Sequence, residues 1–191
     1  MSRTRLVLLP LCVALALGAL GCDRRKAIDE YNQGVGHAQA GQYPRAIVAF
    51  QRALALRPEF PEASNSLGYV FNRLERYDEA IEHFLAAAGV EKYKERHLAY
   101  LNLAAAYSNN AEYDEAASAL SESIKIEATV DAHYALAQVY AIQEKTDRAI
   151  ASLREVSGMD AERMDGVATD AMFDRIREEP QFRSFLGEAR R

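Results

Sequence analysis

The sequence has 191 residues, 27% of them charged, with a formal net charge of -5. An apolar share of 49% supports a packed core and excludes wholesale disorder, and mild acidity argues against nucleic-acid binding by phosphate neutralisation. Two cysteines make neither a disulfide framework nor a zinc site, and 34 alanines tilt the chain toward close-packed helices.

The N-terminus opens with Arg3 and Arg5, and Leu6 to Leu20 then carries no charge. Fifteen helical residues span roughly 22 Å, short of the ~30 Å hydrocarbon layer, so the run reads as a secretory signal over residues 1–21. It ends Leu17-Gly18-Ala19-Leu20-Gly21-Cys22-Asp23. That string resembles a bacterial lipobox, in which a cysteine after a small residue becomes the acylated start of the mature chain. Ala19 and Leu20 stand in the reverse of the usual order. An ordinary secretory signal and an uncleaved anchor are the alternatives.

The resemblance implies lipidation at Cys22, a lipid anchor to the membrane and a periplasmic location in the bacterial envelope. Cys12 would leave with the leader, and acylation accounts for an otherwise unpaired thiol. Loss of Arg3 and Arg5 leaves 21 basic against 28 acidic residues, a formal -7. Residues 22–26 read as a short linker whose Arg24-Arg25-Lys26 can touch headgroups. Asp23 resembles a retention signal of enteric bacteria that is not general, so inner and outer membrane both stay open.

From residue 27 the sequence repeats itself. Ala46, Ala80, Ala116 and Ala149 recur at spacings of 34, 36 and 33. Twelve residues earlier stand Gly34, Gly68, Ala104 and Ala137; four residues later stand Phe50, Phe84, Leu120 and Leu153. Tyr43, Tyr77 and Tyr113 precede the alanine by three, with Thr146 in the fourth place. Ala46, Ile47, Phe50, Ala53 and Leu54 share one helical face.

Punctuation agrees. Pro44 suits a first helical turn, Pro58 and Pro61 stop a helix between units, and Asn109-Asn110 suits a turn. The two extra residues of the second spacing fall in Val90–Arg96. Helix pairs are expected at 27–40 with 44–56, 61–74 with 77–88, 95–109 with 113–126, and 130–143 with 146–157.

These four units in phase resemble the tetratricopeptide repeat, a helix-turn-helix motif of 34 residues. The resemblance implies an all-α fold: a right-handed α-solenoid of four units over 27–160 (27–60, 61–94, 97–129, 130–160). Residues 161–191 are expected to cap it. Met172, Phe173 and Ile176 would form one helical face, and Phe182, Phe185 and Leu186 another after Pro180. The segment resembles one that closes some bacterial arrays of this family.

Chemistry is hard to find. His37 and His133 fall on inward positions, and His83 and His97 lie near acidic neighbours where solvent exposure is expected. No His pair brackets a glutamate at metal-ligand spacing, and Gly34-Val35-Gly36 lacks the lysine of a phosphate loop. No nucleophile stands near a plausible base. The expectation is therefore no enzyme activity, no cofactor, no metal, no nucleic acid and no small-molecule substrate.

The family resemblance implies a concave groove for a partner protein or peptide. Carried over by position, it takes Tyr31, Asn32, Val35 and Gln39 from the first unit. The second gives Asn65, Tyr69, Asn72 and Arg73. Leu101, Asn102, Ala105, Ser108 and Asn109 come from the third, and Tyr134 and Gln138 from the fourth. Arg73 is the lone basic groove residue, which disfavours strongly acidic tails. The implied function is a membrane-anchored scaffold for envelope assembly, such as a pilotin-like, secretion or outer-membrane role. The alternatives are an accessory of a cell-wall or envelope enzyme complex, or an enzyme.

Overall fold

The computed structural model describes the backbone of residues 8–189 and the side chains of 23–188. The acylation of Cys22 and the whole of the proposed leader therefore lie outside the described side chains. Among the described residues there are only helices and turns. The order is α1 (Leu8–Gln39), α2 (Tyr43–Leu56), α3 (Pro61–Arg73), α4 (Tyr77–Ala88), α5 (Arg96–Asn109), α6 (Tyr113–Ile126), α7 (Val130–Ile142) and α8 (Thr146–Met159). Two short 3₁₀ turns and α9 (Pro180–Ala189) follow.

One expectation needs correcting at once. Residues 22–26 are not a linker but part of α1, which runs unbroken into the first unit. Arg24, Arg25, Lys26, Ala27 and Glu30 are good helix formers, and neither Gly nor Pro interrupts Cys22–Gln33. Among the described residues no helix is long and apolar enough to cross a membrane.

Each unit is an antiparallel helix pair closed by the same turn. Gln42 N–H donates to His37 O at 2.8 Å, Arg76 to Phe71 at 3.0 Å, Glu112 to Tyr107 at 2.8 Å and Lys145 to Tyr140 at 2.9 Å. Such bonds reach back across a residue in the left-handed region, here Gly41, Glu75, Ala111 and Glu144 with φ of 70°, 60°, 62° and 58°. Only the first is glycine. Asn109 and Asn110, expected to make the third turn, leave its left-handed position to Ala111.

The core forms where the recurring residues meet. Ala46, Ala80, Ala116 and Ala149 are fully buried, as are Phe50, Phe84, Leu120 and Leu153 at 0–1% exposure. Each of these large side chains contributes about 1.5–3 kcal/mol by leaving water. One continuous cluster links the units from Ala46 and Phe50 through Leu67 and Leu103 to Leu136 and Val139.

A second cluster joins α7 and α8 to the C-terminal segment through Phe173, Ile176 and Phe182, all at 0% exposure. Phe173 and Phe182 stack at 5.7 Å between centroids. The local form differs from the expected helical face. Residues 162–166 and 171–173 are 3₁₀ turns, which point Phe173 and Ile176 inward but leave Met172 40% exposed.

Candidate functional site

The first helix of each unit presents its outer residues to a shared concave surface. Two cavities open there, joined at Asn102. One, of about 460 Å³, is lined by Val35, Gln39, Tyr43, Asn65, Ser66 and Tyr69 among others. The other, of 260 Å³, is lined by Leu101, Ala105, Ser108, Asn109, Gln138 and Met172 among others.

Asparagines set the floor of this groove. Asn102 Nδ2 donates to Asn65 Oδ1 at 3.1 Å, and Asn109 Nδ2 donates to Asn72 Oδ1 at 3.1 Å. Both bonds span 37 residues, so α3 and α5 run parallel and in register. An amide carries two N–H donors and a two-lone-pair oxygen, so each linked pair keeps capacity for a further ligand. Tyr69, 49% exposed, stands over the first cavity. Arg73 lies beside Tyr43 and Tyr69.

Ten of the positions carried over from the sequence come together on the two cavities: Val35, Gln39, Asn65, Tyr69, Leu101, Asn102, Ala105, Ser108, Asn109 and Gln138. Others do not line them. Tyr31 packs instead against Phe50 and Phe60, at 5.8 and 5.1 Å between centroids. Asn32 is exposed. Asn72 reaches the groove through its bond to Asn109.

Tyr134 is the clearest departure. It is buried, and its hydroxyl donates to Asp170 Oδ2 at 2.7 Å. Gln138 Nε2 donates to the same oxygen at 2.8 Å, and Arg177 holds the Asp170 carbonyl at 2.9 Å. Burial pushes the Tyr134 phenol up to about 12, reinforced by its bond to the carboxylate. Asp170 and Met172 thus close the groove at its fourth unit. Sequence reasoning missed Asp170, and the available signal was its offset: it lies 36 residues after Tyr134, much as Asn102 lies 37 after Asn65.

The histidines also shift role. His83 is not solvated but stacks on Phe71 at 5.4 Å, and burial pushes its pKa down. His97 is 13% exposed, with Nδ1 3.3 Å from Glu127 Oε2. His37 meets Gln42 Oε1 at 2.9 Å. Among the described residues no three His, Cys, Asp or Glu side chains converge as a metal site.

A family model described as "Tetratricopeptide repeat" matches residues 31–96 and 101–162. No curated protein matches the sequence. Among solved structures, a MamA protein superposes with a TM-score of 0.71 at 19% identity, covering 86% of this chain and 90% of that one. YrrB, described as a repeat protein with an unusual peptide-binding site, superposes at 0.70 with 17% identity over 91% and 89%. The first repeat domain of Spaghetti, bound to an HSP90 peptide, superposes at 0.60 with 18% identity over 63% and 95%. At these identities the likeness is one of fold.

Proposed function

The chain belongs to the tetratricopeptide-repeat family, and from that premise we propose that it is a non-catalytic scaffold holding an extended segment of a partner protein in its groove. The carrying observation is the pair of cavities joined at Asn102, with amides on the floor and the Tyr69 ring beside them. Amides offer N–H and C=O to a bound backbone, and tyrosine supplies rigid apolar area with a polar tip. Peptide binding in YrrB and in the Spaghetti domain supports this use of the fold. With Arg73 the one cation near the floor among the described residues, the groove suits polar and apolar segments better than acidic tails.

The scaffold works, on this reading, at the periplasmic face of a bacterial membrane, held by lipid on Cys22. The uncharged run Leu6 to Leu20, ending at Gly21-Cys22, supports the anchor. Its service is in assembling an envelope machine such as a secretion or pilus complex.

The groove is tested by Tyr69→Ala combined with Asn102→Ala, followed by affinity capture from membranes. Loss of the main captured protein is expected; an unchanged set overturns the groove reading. The anchor is tested by Cys22→Ala, which should release the chain from membranes. Persistent partitioning would mean an uncleaved helical anchor instead.

A further inference from the structure

Antiparallel packing gives the array two edges. One carries the turns at Gly41, Glu75, Ala111 and Glu144. The other carries the starts of α1, α3, α5 and α7 with the ends of the even helices. The position of α1 decides what this second edge faces. Ala27 is fully buried among Ala53, Phe60 and Ala63, so α1 is locked into the array from that residue onward. Cys22 lies five residues earlier on the same helix, about 7.5 Å along its axis. A lipid there leaves almost no tether.

The surface of that edge has a matching character. Ile28 and Leu98 are exposed apolar residues on it. A 440 Å³ cavity opens between the α2–α3 and α4–α5 connections, bordered by Arg57, Lys92 and Lys94 and by Glu59, Glu62 and Glu95. Three cations face three carboxylates, so the cavity has no net charge. Glu62 Oε2 is buried there without a hydrogen-bond partner among the described residues. Lys92 and Lys94 make no ion pair among the described residues.

We propose that this edge rests on the bilayer, and that the cavity receives the headgroup of a zwitterionic phospholipid. The phosphate lies against Lys92, Lys94 and Arg57, and the ammonium against Glu62 and Glu95. The inference rests on the lipid anchor proposed above. It orients the array: repeats run along the membrane, and the turns point away from it.

The test uses the full chain in vesicles containing phosphatidylethanolamine and phosphatidylglycerol. A photo-crosslinking residue replaces Leu98 in one protein and Leu74, on the opposite edge, in another; both positions are 38% exposed. Phospholipid adducts are weighed by mass spectrometry. The expected result is at least about a tenfold excess at position 98, mainly of the ethanolamine lipid, reduced severalfold by Lys92→Glu with Lys94→Glu. Equal adducts from a chain that sediments with vesicles overturn the orientation and leave the anchor standing. A chain that stays in the supernatant overturns both. Adducts of the anionic lipid alone overturn the headgroup assignment.

Discussion

Gly34 lies flat against the Phe50 ring: a Cβ added to the glycine would sit 2.6 Å from Cδ1 and Cε1. The same pairing joins Gly68 to Phe84, at 2.8 Å. In the third and fourth units the glycine becomes Ala104 and Ala137, and the partner shrinks to Leu120 and Leu153. Size at one position is therefore set by size at the other. Gly34→Ala alone should cost about 1–3 kcal/mol through overpacking, despite alanine's better helix propensity. Adding Phe50→Leu should recover much of that loss. Urea unfolding of the two single variants and the double variant measures the coupling. Simple addition of two losses would refute the size rule.

The turns offer a gain in stability. Ala111 holds φ of 62° in a position that Gly41 fills in the first unit. The left-handed region costs an L-residue roughly 1–2 kcal/mol, partly offset by glycine's greater freedom when unfolded. Ala111→Gly should therefore stabilise by about 0.5–1 kcal/mol, read as a higher urea midpoint with unchanged slope. A lower midpoint would show that the strain is not there.

Most of the array was legible because its determinants are periodic. Gly34, Ala46 and Phe50 and their equivalents recur at fixed offsets, so one unit predicts the next. Positions that stay outward on the first helices, such as Asn65, Tyr69 and Asn102, lie on the two cavities as their place in the repeat implied. Tyr31 and Tyr134 instead turn their rings to aromatic neighbours beyond their own helix pair, Phe60 just before α3 and Phe173 after α8. Those contacts depend on how units stack, which no single repeat encodes. Asp170 was missed for a related reason, its offset from Tyr134 being the one signal it carries. It lies in a segment without helical periodicity and matters only because α7 brings Tyr134 and Gln138 to it.

That cluster should make stability depend on pH. Burial opposes the Asp170 charge, but the Met172 N–H, the Tyr134 hydroxyl, the Gln138 amide and the Arg177 guanidinium together hold its carboxyl below the ordinary 3.8. A depressed folded pKa contributes stability above the unfolded value, and that contribution is lost as pH falls through the folded one. Asp170→Asn should therefore lower Tm at pH 7 by about 2–4 °C, equivalent to roughly 1 kcal/mol. As the pH falls below the ordinary 3.8 and through the depressed folded value, the two proteins should converge. A constant gap across that range would mean that the carboxylate's charge contributes nothing.

The C-terminal segment covers the last unit and shares one core with α7 and α8. Phe173 touches Tyr134 edge-on at 5.9 Å and Phe182 face-on at 5.7 Å, and it is wholly buried. Phe173→Ala should cost about 3–5 kcal/mol by deleting this contact and leaving a cavity. Repeat arrays are coupled mainly to nearest neighbours, so the loss should not spread evenly. Hydrogen exchange should show α7, α8 and α9 losing protection first, while α1 to α4 retain theirs. Uniform loss across all helices would mean that the array unfolds as one cooperative block, with the segment acting on every unit at once.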